Sequence, residues 1–257
     1  MSPRSGASDA RAPGLAFACI APHGDLAIPE ACPGDTVGLA RATQEGMREL
    51  ARRFDEADPE VVVVLTPHGI HVEGHLAVVV AGRTAGALDD APGVALDVPV
   101  DRALALAIVR ELGIAGIPAV GVSFGGNDPA EAVMPLDWGS LIPLWYLGGR
   151  RDPPVPVVVI APARDLPVES HVAAGAAIDE AAAVLDALVV SILRDGRLGA
   201  LRDLDPALVD AAKPDSPWQM LMLLGALGET WTPRLLSYEA PTYYGMLCAA
   251  FEPPGGA

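Results

Sequence analysis

Short blocks of β-branched and aliphatic residues recur along this chain, separated by longer stretches whose apolar residues fall at helical spacing. Residues 61–65 and 155–160 are almost continuously apolar, the pattern of strands buried on both faces. Residues 15–21, 76–81, 94–98, 119–124, 235–238 and 245–251 read as further strands. Over residues 36–57, Val37, Leu39, Met47, Leu50 and Phe54 stand among charges, which predicts an amphipathic helix. Asp35 is placed to cap it. Helices are also predicted over 101–112, 141–147, 172–193, 205–212 and 218–227, whereas 82–93 and 125–135 read as loops. Strand, helix and strand over residues 15–65 predict a β-α-β unit, with a parallel pair and a right-handed crossover. The expected fold class is α/β: one domain with a central, mostly parallel or mixed sheet flanked by helices on both faces. It is expected to span 14–252, between a disordered tail at 1–13 and a loose end at 253–257.

Composition narrows the partners. The chain carries 33 acidic and 17 basic residues, a formal charge of −16 over 257 residues. Nucleic acid and anionic membrane surfaces are poor partners for such a surface. No apolar run reaches the length of a membrane span, and residues 1–13 lack the apolar core of a signal peptide. The cysteines, Cys19, Cys32 and Cys248, are odd in number and form no C-x-x-C pair. They read as buried free thiols in a reducing cytoplasm.

The candidate chemistry gathers where strands end. The strand at 61–65 stops at Thr66-Pro67, and His68 follows; the strand at 15–21 stops at Pro22, and His23 follows. Proline cannot donate to a sheet ladder, and the C-terminal edge of an open α/β sheet is where ligands bind. Glu239 follows the strand at 235–238 in the same way. Two imidazoles and one carboxylate form the facial set that leaves coordination positions open on Fe(II). For either histidine alone, capping a strand end and bonding to backbone is the favoured reading; the two together favour a shared ion. His71 and His75 complete a His-x-x-His-x-x-x-His run with His68, but Gly69 and Gly74 oppose the helix that would gather it. His71 could line a pocket, and His75 reads as a solvated turn residue. Gly121-Val122-Ser123-Phe124-Gly125 matches the G-x-S-x-G nucleophile elbow, with Asp165 and His171 following in triad order, but Gly126-Asn127-Asp128-Pro129 is loop chemistry where a helix should start. Asp137-Trp138-Gly139 reads as a tight turn with a buried tryptophan. No phosphate-binding glycine motif is present.

Together these pieces resemble the class III extradiol ring-cleavage dioxygenases, the family of the catalytic β subunit of protocatechuate 4,5-dioxygenase, with Memo-like proteins as fold relatives. The resemblance runs from about Phe17 to Phe251. It is carried by Ala21-Pro22-His23-Gly24, by Thr66-Pro67-His68-Gly69, by Asp137-Trp138-Gly139 with Pro143-Leu144, and by Leu236-Ser237-Tyr238-Glu239-Ala240-Pro241. It implies Fe(II), with Zn or Mn as substitutes, held by His23, His68 and Glu239. It further implies a small aromatic diol and O2 as substrates, His71 and Tyr238 in the substrate pocket, and a catalytic segment at Asp137 and Trp138. A homo-oligomer, with or without a small accessory subunit, is the implied assembly. Two positions depart from the pattern. Trp138 stands where the family has a histidine, and indole exchanges no proton at neutral pH. His171 follows Ser170, about three residues away from the family's second catalytic histidine. The alternatives are a family member without ring cleavage, acting in binding or as a subunit, and a metal-dependent or Ser123-based hydrolase.

Overall fold

A computed structural model describes residues 16–32, 34, 36, 38–167, 169–170, 196, 198–204, 217–227, 231–241 and 245–253. Among the described residues, ten strands form three sheets. The central one has the order β2 (Val62–Leu65), β8 (Val157–Ala161), β3 (Leu76–Val79), β6 (Ala119–Val122). It is mixed: β2 runs parallel to β8 and β3 parallel to β6, but β3 and β8 are antiparallel. An antiparallel sheet joins β1 (Ala18–Ile20), β10 (Met246–Glu252) and β9 (Thr232–Glu239). A third sheet joins β5 (Ala91–Pro99), β4 (Arg83–Leu88) and β7 (Val133–Pro135). The α-helices among the described residues are α1 (Arg41–Ala57), α2 (Arg102–Ile114), α3 (Trp138–Tyr146) and α4 (Pro217–Leu227). The α/β fold class with helices on both faces of a mixed sheet is therefore as expected.

Alternation along β8 divides the core. Val157 and Val159 face a cluster with Met47, Leu50 and Phe54 of α1 and Leu141, Ile142 and Leu144 of α3. Val158 and Ile160 face the opposite cluster, with Leu76, Val78 and Ala105 of α2. A strand packed on both faces reads as a continuous apolar run, and β8 is such a strand. A third cluster packs Leu221, Leu224 and Leu227 of α4 against Ala18, Ala249 and Phe251. Asp101 caps α2, its carboxylate accepting from the Leu104 N–H at 2.9 Å.

Several expectations are corrected. β1 and β2 share no sheet: β1 pairs with β10 antiparallel, so residues 15–65 form no β-α-β unit. The apolar runs do not encode which strands pair. β2 is an edge strand with Val63 45% exposed, not a strand buried on both faces. Residues 82–93 hold β4 and the start of β5, and 125–135 end in β7. Gly82, Gly86 and Gly93, which suggested a loop, lie in or beside strands. An added Cβ at Gly86 would meet the Leu136 carbonyl oxygen at 2.4 Å, so that glycine permits a close backbone approach. Of the thiols, only Cys248 is fully buried; Cys19 and Cys32 are partly exposed. The helices expected at 172–193 and 205–212 lie outside the described residues.

Candidate metal centre

His23 and His68 arrive from different sheets and meet. Their Nε2 atoms lie 3.2 Å apart and their rings cross at 73°. Two nitrogens bound at about 2.1 Å to one ion lie roughly 3.0–3.4 Å apart, from octahedral to tetrahedral angles. The pair therefore fits cis ligation of a single metal. The same separation lets one neutral ring donate its Nε2–H to the other.

The His68 side is built by a network local to two loops. Thr66 Oγ1 accepts from the His68 backbone N–H at 3.1 Å and donates to Asp137 Oδ1 at 2.7 Å. Asp137 caps α3: Oδ1 accepts from the Ser140 N–H at 3.0 Å and Oδ2 from the Ser140 hydroxyl at 2.8 Å. Thr66 and Ser140 are fully buried. Gly139 lets the first turn of α3 approach, since a Cβ there would lie 2.8 Å from His68 Cδ2 and 2.9 Å from Thr66 Oγ1. Trp138 lies over the His68 ring, with centroids 4.1 Å apart. The indole is 53% exposed, which corrects the expectation of a buried tryptophan. Gly69, at φ +82°, turns the chain away directly after His68.

The other side is organised by the first turn of α1. Its N-cap is Ala40, which supplies no side-chain acceptor. Glu239 Oε2 instead accepts from the Thr43 N–H at 2.7 Å, a carboxylate at a helix N-terminus as the macrodipole favours. The next residue, Gln44, donates to the Leu26 carbonyl at 2.9 Å, three residues beyond His23. Glu239 pairs with Met246 across the sheet, and Met246 Sδ comes to 3.2 Å of where a Gly24 Cβ would stand. Among the described residues no group of three or more His, Cys, Asp or Glu side chains is spaced to hold a metal ion. The structure thus joins His23 to His68 and leaves the Glu239 carboxylate on Thr43. Burial pushes the Cys248 thiol up to about 11, with the Glu239 charge adding to it and the Ser237 hydroxyl opposing.

Of the remaining candidates, His71 is exposed and Tyr238 half-buried. His75 Nδ1 meets the Glu73 carbonyl at 2.9 Å. His171 lies outside the described residues. The segment leading towards it clamps the His68 loop: Arg164 donates to the Pro67 carbonyl at 2.5 Å, and Asp165 accepts from the Gly74 N–H at 2.7 Å. That employs Asp165 in the loop. Ser123 Oγ is buried without a hydrogen-bond partner, and Gly125 and Gly126 follow at φ +72° in place of a helix. Ser123 is therefore not an exposed elbow nucleophile. Thr66, Ser140, Gly139, Thr43 and Gln44 were not anticipated. Asp137-x-x-Ser140 is a helix-capping spacing that could have revealed two contacts of this network.

The chain matches the family model described as the catalytic LigB subunit of aromatic ring-opening dioxygenase over residues 17–182, more than half its length. It belongs to that family. The match contains His23, His68 and Asp137 and stops short of Glu239. Among solved structures, an uncharacterized protein from Escherichia coli K12 superposes with a TM-score of 0.55 at 16% identity. The alignment covers 79% of this chain and 91% of that one. At that identity the likeness speaks for the fold. No curated protein matches the sequence. No helix among the described residues is long and apolar enough to cross a membrane.

Proposed function

We propose that this chain is a non-haem Fe(II) dioxygenase of the extradiol type, opening the ring of a small catechol or aminophenol. The observation that carries the reading is the meeting of His23 and His68 at 3.2 Å between two sheets. In the proposed holoprotein His23, His68 and Glu239 hold the metal. The bound ion would supply the Lewis-acid and redox chemistry that joins a diol to O2. The chain's own residues do the rest. Thr66, Asp137 and Ser140 fix the His68 backbone and the start of α3, so Asp137 serves as a clamp. Trp138 covers one face of His68. Its Nε1–H donates only, so proton transfer falls to His171. His71 and Tyr238 are assigned to the substrate pocket.

The test is anaerobic loading with Fe(II), followed by a panel of catechols and aminophenols with O2. The reading expects a yellow ring-opened product with one O2 consumed per turnover. A second reading is favoured by the Trp138 stack itself, since an indole sits where the family's proton-exchanging histidine is expected. It makes the chain a metal-binding family member without ring cleavage. Stoichiometric iron with no O2 uptake on any member of the panel would select it.

A further inference from the structure

The first turn of α1 lacks a capping side chain of its own. An N-cap side chain ordinarily accepts from the second or third N–H of its helix. Ala40 stands at that position and offers no acceptor, and Thr43 is the third residue of α1. The first bond inside the helix runs from the Gln44 N–H to the Ala40 carbonyl at 2.9 Å, so the Thr43 N–H has no acceptor there. Thr43 is fully buried, where an unmatched N–H is costly. Glu239 Oε2 supplies the acceptor at 2.7 Å, from 196 positions away.

The same turn reaches the other side of the proposed centre. Gln44, itself buried, donates to the Leu26 carbonyl at 2.9 Å, in the loop that follows His23. Cys248 Sγ donates to the Thr43 carbonyl at 3.7 Å. Gly46 lets the helix press onto β9 and β10, since a Cβ there would stand 3.0 Å from Cys248 Sγ and closer still to Ser237 Oγ. Helix, sheet and His23 loop therefore meet at residues 43–46. With the Glu239 carboxylate on Thr43, no trio of ligating side chains is gathered among the described residues. One carboxylate is thus wanted in two places.

We propose that Glu239 is a latch: it caps α1 in the metal-free chain, and a bound divalent ion draws it off Thr43. The latch rests on the reading of Glu239 as the third ligand; its role as the cap does not. Helix and ion compete for one carboxylate, so by linkage each weakens the hold of the other. The competition lowers affinity for the ion roughly fivefold, the scale of one helix cap. Loading leaves the Thr43 N–H without its acceptor and loosens the first turn of α1. Gln44 carries that loosening to the loop after His23.

The experiment is amide-exchange NMR of the full chain, metal-free and loaded with Zn(II) as a diamagnetic probe. In the metal-free chain the Thr43 amide should exchange slowly. Glu239→Ala should speed it at least tenfold, and Glu239→Gln, whose side-chain oxygen still accepts, less than threefold. In the parent, Zn(II) should speed Thr43 exchange at least fivefold, with the amides of Leu50 and Phe54 further along α1 unchanged within twofold. His68→Ala with the same Zn(II) should leave Thr43 as it is in the metal-free chain. A Thr43 amide as protected after loading as before would overturn the latch and have Glu239 hold ion and helix together. Slow exchange that survives Glu239→Ala in the metal-free chain would overturn it from the other side, by removing the cap. Zn(II) affinity undiminished in Glu239→Ala would strike the ligand reading, and the latch with it, while the cap stands.

Discussion

The two histidines of the site are held by different means, and the contrast shows which half is rigid. His68 is fixed by Thr66, Asp137, Ser140 and Gly139, all within four residues of one strand end or one helix start. Thr66 and Ser140 are fully buried and Asp137 half-buried, and the hydroxyls and carboxylate bond one another inside the protein, so removing one member leaves another unsatisfied. On the His23 side the supports come from elements remote in sequence. Gln44 reaches the Leu26 carbonyl, and Thr43 reaches Glu239 across 196 positions of sequence. The His68 half is therefore preorganised by a local network, while the Glu239 carboxylate is tied to the backbone N–H of Thr43, in the first turn of a helix whose N-cap residue makes no side-chain bond.

The sharpest way to break this contrast is Asp137→Ala. It removes the α3 cap and strands the Thr66 hydroxyl, for an expected loss of about 2–4 kcal/mol, read as a lower urea midpoint at unchanged slope. A loss under about 0.5 kcal/mol would show the network to be decorative. Gly139→Ala pushes a methyl into His68 and Thr66, and overpacking of this kind costs about 1–3 kcal/mol. Isothermal titration should show its metal affinity falling more than that of a cavity-neutral control such as Leu106→Met, at the surface of α2. Glu239→Gln should weaken metal binding about ten- to hundredfold, on the scale of changes next to metal ligands. Its amide oxygen can still accept from Thr43, so the thermal midpoint should stay within a few degrees of the parent. A fall in stability with metal affinity intact would make Glu239 a cap and nothing more. Least in size, the same substitution removes the Glu239 charge, which adds to burial in raising the Cys248 thiol. Its titration midpoint should drop slightly yet stay well above an ordinary thiol, because burial is the larger cause.

Much of this was readable from residue order, for physical reasons that differ by element. The Pro-His pairs after β1 and β2 announced His23 and His68, because proline ends a ladder and leaves the next side chain at the rim. α1 was legible from periodicity, though it begins at Arg41 with Ala40 as its N-cap in place of the expected Asp35, and the helix expected over 101–112 is α2. The partners of β1 were not legible. A short apolar run states that a strand exists without stating its neighbour, and β1 joined β10, more than two hundred residues away. The hairpin β4–β5 was hidden because glycines that permit close approach look like glycines that turn a loop. The Thr66–Asp137 bond spans 71 positions and leaves no local signature at Thr66. Glu239 as acceptor for Thr43 is invisible for the same reason: α1 lacks its own capping residue, and the substitute comes from another sheet.

The central claim is that two imidazoles from separate sheets grip one ion. Anaerobic titration with Fe(II), or with Co(II) as a coloured substitute, tests it directly in the parent chain, in His23→Ala, in His68→Ala and in the double variant. The account predicts one ion per parent chain, a loss of at least a hundredfold in affinity for either single variant, and little further loss when the two are combined. Stoichiometric binding that survives either single substitution would contradict it.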